Sequence, residues 1–328
     1  MNYLSDSEVS DLLQDKMHQV IESVESAFLD KSAEMVPKIY LNAHTHGDFR
    51  AMPAALGDHV CLKWIGVYPT NHLISHLPTT LGTLLLNDRE TGKPLMAMDC
   101  TTLTAYRTAA TSAIAAKYCA PEAREFAFIG CGLQAQYHIE AYESIFGHMN
   151  MTVETHDRNR DAMKKLHEWI GRENIASAWG YNDNAEDAVK HADVVTTLTP
   201  STEPYLDIHW LKSNCHINAV GADAVGKREL MTNVIDGSAN IVCDDLEQAL
   251  HSGELQYNEW PHLEVNSLQY LLKNYETMQL NKGVSVFDST GVAIEDAAIA
   301  TLIWNLYRED KLGEEYYLPD STSDTGGV

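Results

Sequence analysis

The chain has 328 residues, of which 45% are hydrophobic and 21% are charged, and this composition is typical of a folded protein with a sizeable core. Its 47 acidic residues against 23 Lys and Arg give a net charge of −24, which repels phosphate backbones and anionic membranes, so we expect neither nucleic acid nor membrane as a partner. No apolar run reaches the length of a spanning helix and the N-terminus lacks the order of a secretion signal, so we expect a cytoplasmic protein.

The first third of the chain predicts a helix, then strands, then a second helix. Apolar residues recur every three or four positions over residues 9–28, and Ser5 or Asp6 precedes them as a helix cap. Over residues 38–99 short apolar runs are separated by turn signals, which indicates a strand-rich region. The Ala- and Thr-rich residues 99–118 then predict a helix.

The rest of the chain alternates strands and helices. We predict strands at residues 126–129, 151–155, 193–197, 215–220 and 240–243, and helices at residues 136–146, 161–170 and 291–307. Such alternation is typical of a parallel sheet covered by helices. We therefore predict an α/β fold in which a nucleotide-binding domain spans residues 120–285, and residues 1–119 and 286–328 pack together as a discontinuous α+β domain.

A glycine-rich loop lies between the first strand and the first helix of the predicted nucleotide-binding domain. Gly130-x-Gly132-x-x-Ala135 matches the G-x-G-x-x-G/A pattern of Rossmann dinucleotide-binding domains. Gly130 permits the tight turn, Gly132 lets backbone amides approach a pyrophosphate, and Ala135 allows close packing of helix and strand. The helix N-terminus, with Leu133 and Gln134, adds positive potential in an otherwise acidic protein. The alternative is an ordinary turn from strand to helix.

An acidic residue at the end of the second strand predicts which dinucleotide is bound. Asp157 lies 25 positions after Gly132, where a carboxylate hydrogen-bonds the ribose hydroxyls of NAD and repels the 2′-phosphate of NADP. Arg158 is able to accept that phosphate, so NADP remains the less favoured alternative. A cap of the following helix is the other interpretation of Asp157.

Three cations stand in segments where apolar or small residues predominate. Lys63 interrupts the apolar residues 60–65, so it either reaches water at a sheet edge or faces a cavity, where it binds a carboxylate or polarises a carbonyl. Arg50 reaches the same pocket if the two strands pair, and is otherwise a surface charge. Arg107 lies among small residues, and its planar guanidinium suits a substrate carboxylate, although a salt bridge within the helix is the alternative.

Asp223 follows the predicted strand at residues 215–220, at the edge where open α/β sheets bind their ligands. We interpret it as a candidate proton carrier, with a helix cap as the alternative.

The sequence gives little sign of a metal site or of disulfides. His44 and His46 form a pair without further ligands at a typical spacing, so we predict no metal. The six cysteines form no C-x-x-C pair, which favours small buried side chains.

Several motifs, taken together, resemble those of one protein family. They are Arg50-Ala51-Met52-Pro53, Lys63 followed by Pro69 and Asn71, Leu77-Pro78-Thr79, Leu86-Asn87-Asp88, Thr91-Gly92, residues 104–110, the glycine-rich loop, residues 197–201, residues 218–223 and Ser289-Thr290-Gly291-Val292-Ala293. Over nearly its whole length the chain resembles the ornithine cyclodeaminase/μ-crystallin family, and it is most similar to the branch of archaeal-type alanine dehydrogenases and imino-acid reductases.

The resemblance implies a homodimer in which a Rossmann domain binds NAD and the flanking segments form the substrate-binding and dimerisation domain. It implies that Lys63 and Arg107 hold the substrate α-carboxylate, with Arg50 beside them, and that Asp223 exchanges protons with the amine or with water. Lys63 and Asp223 are thus the expected catalytic residues. The residues expected near the dinucleotide, besides the glycine-rich loop with Leu133 and Arg158, are Thr79, Ser112, Gln134, Asp157, Thr199, Val220, Lys227 and Ser289.

One departure from the family pattern bears on the substrate. Cyclodeaminases of the family carry a Glu where this chain has Arg50, and a cation there repels the side-chain amine of ornithine. We therefore expect an NAD(H)-dependent oxidoreductase that transfers hydride between nicotinamide and C2 of a small amino or imino acid, such as alanine with pyruvate or an imino-dicarboxylate such as iminosuccinate. A cyclodeaminase-type ammonia lyase that uses NAD internally and a non-catalytic, crystallin-like NAD(P)-binding protein are the alternatives.

Overall fold

The computed structural model describes residues 2–44, 47–68, 70–71, 77–257, 264–278 and 280–312. The helices in these residues are α1 (Asp6–Leu13), α2 (Met17–Leu29), α3 (Thr101–Cys119), α4 (Leu133–Phe146), α5 (Arg160–Glu173), α6 (Ala185–Val189), α7 (Thr232–Asp236), α8 (Leu246–Ser252), α9 (Leu268–Asn274) and α10 (Ala293–Leu312). None of the described helices is long and apolar enough to cross a membrane.

A mixed sheet of seven strands is built from the N-terminal part of the chain. Its strands are β1 (Asn2–Leu4), β2 (Glu34–Met35), β3 (Ile39–His44), β4 (Gly47–Leu56), β5 (His59–Val67), β6 (Thr80–Asp88) and β7 (Pro94–Asp99). They run in the order β1-β7-β6-β5-β4-β2, with β3 also paired to β4, and every pair is antiparallel except β1 with β7. The strand-rich region predicted over residues 38–99 is confirmed. The C-terminal helix α10 packs on β4, β5 and α2, so the two ends of the chain share one core.

A parallel sheet of eight strands follows. Its strands are β8 (Glu125–Ile129), β9 (Thr152–His156), β10 (Ala178–Tyr181), β11 (Val194–Thr197), β12 (His216–Ala219), β13 (Asn240–Cys243), β14 (Val265–Ser267) and β15 (Ser285–Asp288). They run in the order β10-β9-β8-β11-β12-β15-β13-β14, and every pair is parallel. The first five strands of this order are those of a Rossmann sheet, which reverses between β8 and β11 and binds its ligand at that point. The predicted α/β fold class is confirmed.

Helix α3 lies between the two sheets. It contacts β6 of the first sheet and β12 and β15 of the second, and most of its residues are buried. Its small Ala and Thr side chains permit such close packing on several sides. A cation on α3 is therefore held where the two sheets meet.

Two differences between the predicted and the observed helices have a local cause in the backbone. The helix predicted over residues 9–28 is broken between α1 and α2, where Asp15 adopts the left-handed φ of 59°. The apolar spacing continues through the break because both helices bury their faces in the same core. Ser5 caps α1 in a capping box with Glu8, as the sequence predicts for Ser5. The helix predicted from residue 136 begins at Leu133, because Gly132 is its N-cap.

Candidate active site

The glycine-rich loop connects the end of β8 to the start of α4. Gly130 has a φ of 104°, and a Cβ there would lie 2.9 Å from the Leu198 carbonyl oxygen, so the turn and the close approach both require glycine. A Cβ at Gly132, in contrast, would meet only open space. The loop therefore leaves the N-terminus of the 14-residue helix α4 accessible to a ligand.

Asp157 lies directly after β9 and fixes the shape of this loop. Its Oδ2 accepts a hydrogen bond from the Cys131 amide at 2.7 Å, and its Oδ1 accepts one from the Asn159 amide at 2.7 Å. The N-cap of α5 is Asn159, and not Asp157. Arg158 is exposed beside it.

A cleft of about 670 Å³ opens at the carboxyl ends of β8, β9 and β11. Gly130, Gly132 and Asp157 line one part of it, and Thr199 and Tyr205 line another. Gln134 Oε1, in the first turn of α4, and Ser289 Oγ, directly after β15, are buried without a hydrogen-bond partner. An open glycine turn, a helix N-terminus and a carboxylate after the second strand are the groups that a dinucleotide requires, so these residues fit one.

Arg50 and Lys63 lie on one face of the first sheet, because β4 and β5 pair in a register that puts Met52 opposite Lys63 and Arg50 opposite Ile65. Lys63 is 1% exposed, and its Nζ donates to Asp296 Oδ1 on α10 at 2.7 Å. It does not reach water at a sheet edge.

Arg107 projects from α3 toward the same residues of α10. Its Nη1 donates to Glu295 Oε2 at 2.6 Å, and its Nε lies 3.4 Å from Asp296 Oδ1. Both acids are completely buried. Burial opposes the charge of Arg107, but Glu295 and Asp296 raise its pKa above the usual value. Arg107 thus forms its salt bridges with acids of another helix, α10, and not with a residue of α3.

Asp223 lies between two cations on the loop after β12. Its Oδ2 accepts a hydrogen bond from Arg50 Nη1 at 2.9 Å, and its Oδ1 accepts one from Lys227 Nζ at 2.5 Å. Burial favours the neutral acid, but the charges of Lys227, Arg50 and Lys38 hold the pKa of Asp223 well below its usual value. Asp223 is therefore a carboxylate in this arrangement.

Lys38 belongs to this cluster, although the sequence analysis did not predict it. Its Nζ donates to the Thr290 backbone oxygen and lies 3.4 Å from the Asp223 backbone oxygen. Burial lowers the pKa of the Lys38 amine to about 7. Gln248 Oε1 accepts a hydrogen bond from the Lys38 amide at 3.0 Å, and this bond fixes the segment before β3.

The remaining predicted site residues fall into two groups. Thr79, Leu133, Thr199, Val220 and Lys227 are exposed or half-buried, whereas Ser112 and Ser289 are buried. Ser112 Oγ is bonded to His138 Nε2 at 3.0 Å, inside the contact between α3 and α4. Thr199 and Val220 follow β11 and β12, at the edge that also carries Asp223.

The histidine pair at positions 44 and 46 lies outside the residues whose side chains are described. Among the described side chains, no three His, Cys, Asp or Glu residues come together in a way that could hold a metal ion. The six cysteines are free, and burial raises the pKa of the Cys61 thiol to about 12.

Residues 3–311 match the profile of the ornithine cyclodeaminase/mu-crystallin family. The chain belongs to this family. It is 38% identical over 314 residues to an alanine dehydrogenase of Archaeoglobus fulgidus, a match that covers 92% of this chain and 93% of the relative.

Two solved structures of similar proteins contain a nicotinamide cofactor. An archaeal alanine dehydrogenase dimer with bound NAD matches with a TM-score of 0.86 and 34% identity, over 96% of this chain and 99% of that one. The second structure is the Δ1-pyrroline-2-carboxylate reductase of Thermococcus litoralis in complex with NADH and L-proline. It matches with a TM-score of 0.86 and 29% identity, over 94% of this chain and 98% of that one. The Rossmann fold of this chain is thus shared with proteins that bind NAD or NADH.

Proposed function

We propose that the protein is an NAD(H)-dependent oxidoreductase that acts on the C–N bond of a small amino or imino acid. The observation that carries the proposal is the position of Asp223. This carboxylate is bonded to Arg50 and Lys227 at the same sheet edge where the cleft beside the glycine-rich loop opens. Cations that attract an acid therefore lie at the sheet edge where a cleft that fits a dinucleotide opens.

NAD is the cofactor that these residues favour. The α4 N-terminus and the amides of the glycine-rich loop would bind the pyrophosphate, and Asp157 would bind the ribose of the adenosine. Thr199, Val220, Lys227 and Ser289 lie on the side of β11, β12 and β15, where the other half of the dinucleotide is expected. A bound NAD or NADH would supply the hydride chemistry at C2 of the amino or imino acid.

The substrate carboxylate is held by Lys63 and Arg107, with Arg50 beside them. Asp296 and Glu295 fix the two cations by buried hydrogen bonds of 2.7 and 2.6 Å, so neither side chain has to be ordered when the substrate arrives. A carboxylate bound in this way holds C2 in one orientation and excludes water from around it.

Asp223 carries the proton. In its ionised form it would accept a proton from the substrate ammonium or from water in the oxidative direction and return it in the reductive direction, against the effect of the neighbouring cations, which hold its pKa low and weaken it as a base. Lys38 adds a cation whose charge changes close to neutral pH.

Arg50 favours a small or second-acid-bearing substrate. Its guanidinium is 3% exposed and is bonded to both Asp48 and Asp223, so this position offers a substrate ammonium a cation where an acid would be needed to bind it. This favours alanine with pyruvate and ammonia, or an imino-dicarboxylate, over the cyclisation of ornithine. The 38% identity to an alanine dehydrogenase also supports a small amino acid as the substrate.

The deciding experiment is a substrate panel with the purified protein, in which NADH absorbance and ammonia are measured together. The panel contains keto acids with ammonia or methylamine, preformed cyclic imines, alanine and ornithine. A net change of NADH with a keto or imino acid supports the proposal, and its loss in Asp223→Asn assigns the proton carrier. Ammonia release from ornithine without net NADH change would show a lyase, and NAD binding without any turnover would show a binding protein.

We also propose that the protein is a homodimer. The outer face of the first sheet carries Val60, Leu62 and Trp64 on β5 and Leu81 and Leu85 on β6, all between 36% and 40% exposed. Phe49 stacks on Trp64 with ring centroids 5.2 Å apart. An apolar sheet face of this kind is typical of a subunit interface, and the similar archaeal alanine dehydrogenase is a dimer.

A further inference from the structure

We propose that Glu229 is a positioning residue for the nicotinamide half of the cleft, because its one carboxylate joins the loops that follow β11 and β12. The proposal rests on the proposed binding of NAD. Glu229 is completely buried and follows Asp223 by six residues.

The two oxygens of Glu229 hold two different loops. Oε1 accepts hydrogen bonds from the Thr199 amide at 2.7 Å, the Thr199 hydroxyl at 2.6 Å and the Tyr205 hydroxyl at 2.9 Å. Oε2 accepts one from the Gly221 amide at 2.8 Å. A Cβ at Gly221 would collide with the Thr199 carbonyl and with the Glu229 carboxylate, so the two loops approach as closely as glycine allows. One side chain therefore sets the separation of the two loops.

Two further buried acids hold Glu229 itself. Glu254 accepts hydrogen bonds from the Glu229 amide at 2.6 Å and from the Leu230 amide at 3.2 Å. Asp288, at the end of β15, accepts from the Glu254 amide at 3.0 Å and from the Leu255 amide at 3.1 Å. Each acid thus binds the backbone that carries the next one. We call Glu229, Glu254 and Asp288 the acid chain.

The acid chain is costly to bury, and it ends at the cleft. Burial raises the pKa of Glu229 and of Glu254, so each buried carboxylate depends on the donors around it. The donors that Glu229 satisfies are at Thr199 and Tyr205, which line the cleft, and at Gly221, which lies two residues before Asp223. In a Rossmann sheet the nicotinamide half lies on this side of the reversal, and the adenosine half lies beside Asp157. Glu229 therefore fixes the wall of the nicotinamide half and the proton carrier relative to each other, and its side-chain hydrogen bonds go to Thr199, Tyr205 and Gly221, and not to Asp157 or the glycine-rich loop.

The substitution Glu229→Gln tests this role because it keeps the volume of the side chain. If the amide oxygen stays with Thr199, the amide nitrogen faces the Gly221 N–H, so a donor meets a donor and the tie to the Asp223 loop is lost. We expect the Kd of NADH to rise about tenfold, in line with one buried group left unpaired, and kcat to fall about 10- to 100-fold. The Kd of ADP-ribose, which lacks the nicotinamide, should stay within about twofold of that of the unsubstituted protein, since the adenosine half is untouched.

The matched control is Asp193→Asn at the opposite end of β11. Asp193 Oδ2 also accepts two backbone amides, from Arg124 at 3.0 Å and Glu125 at 3.1 Å, but it lies away from the cleft. We expect this variant to bind both ligands normally even if its Tm falls. Should Glu229→Gln not fold, Tyr205→Phe removes one donor from the same oxygen, and it should weaken NADH binding and leave ADP-ribose binding unchanged.

The outcomes separate this inference from the proposed function. Equal weakening of NADH and ADP-ribose in Glu229→Gln, or no weakening of either, overturns the positioning role. If the unsubstituted protein binds neither ligand, the proposed function itself is wrong.

Discussion

Lys63 of β5 and Asp296 of α10 form a 2.7 Å hydrogen bond across 233 residues of chain, and both side chains are buried. The bond joins the N-terminal sheet to the C-terminal helix. Asp296, together with its neighbour Glu295 on α10, also holds Arg107. The same buried side chains therefore join the two ends of the chain and form the proposed carboxylate site.

This arrangement predicts that Lys63 affects both stability and activity. In Lys63→Met, Asp296 keeps a buried charge without its closest partner, so we expect the free energy of unfolding to fall by about 3–5 kcal/mol and kcat to be lost. In the double variant Lys63→Met/Asp296→Leu the uncompensated charge is removed, so stability should return while kcat does not. Urea unfolding and steady-state kinetics measure the two effects. Recovery of turnover in the double variant would exclude Lys63 from catalysis.

The two glycines of the loop should respond differently to alanine. Gly130→Ala places a methyl against the Leu198 carbonyl at a positive φ, so we expect a loss of at least about 1 kcal/mol of stability. In Gly132→Ala the added methyl meets no other atom of the chain, so the free energy of unfolding should fall by less than about 1 kcal/mol. The methyl stands, however, where the pyrophosphate would lie. Thermal unfolding and NADH titration test the contrast. Normal NADH affinity in Gly132→Ala would contradict the proposed position of the dinucleotide.

Asp157 should decide the choice between NAD and NADP. The variant Asp157→Ser keeps an oxygen near the Cys131 amide and removes the negative charge, and Arg158 remains. We expect the ratio of NADH to NADPH affinity to fall at least about tenfold, because the repulsion of the 2′-phosphate disappears. The exposed Asp161, in the first turn of α5, offers a control with the same change of charge. An equal shift in Asp161→Ser would point to the overall field of the protein instead.

The sequence predicts the class of the second sheet but not its full order. The glycine-rich loop and the alternation of strands and helices are local, so they indicate a Rossmann domain. The insertion of β15 between β12 and β13 depends on a crossover that no short pattern records. The three-residue strands β1 and β14 are stabilised by their neighbours and have no alternation of their own.

Residues of the candidate site could be predicted where a charged side chain stands in an otherwise apolar segment. Lys63 in an apolar strand is such a signal, and Glu295-Asp296 within the apolar start of α10 is another, which the sequence analysis left unused. Lys38 follows Pro37 in a segment without periodicity, and it contacts Asp223 and Thr290, which lie 185 and 252 positions further along the chain. Lys38 thus joins the candidate site through contacts that only the folded chain creates, and its neighbours in the sequence do not indicate them.

Lys38 predicts how substrate binding depends on pH. Because burial lowers the pKa of its amine to about 7, the amine is charged below that pH and neutral above it. We therefore expect the KM of a carboxylate substrate to rise as the pH climbs through 7, and Lys38→Arg to flatten this rise because a guanidinium stays charged. Steady-state kinetics from pH 6 to 9 measure the KM of the unsubstituted protein and of Lys38→Arg. An identical KM profile in Lys38→Arg would remove Lys38 from substrate binding.

The apolar outer face of the first sheet predicts the effect of one charge on assembly. Trp64 is 40% exposed at the centre of that face, opposite Ala51 and Thr83 on the neighbouring strands. In Trp64→Glu a charge would be buried between two copies, so we expect a dimer to become a monomer in size-exclusion chromatography with light scattering. Trp179 is 41% exposed on β10 of the other sheet, and Trp179→Glu is the matched control, which should remain a dimer. A monomeric unsubstituted protein, or a Trp64→Glu protein that stays dimeric, would show that this face is not the interface.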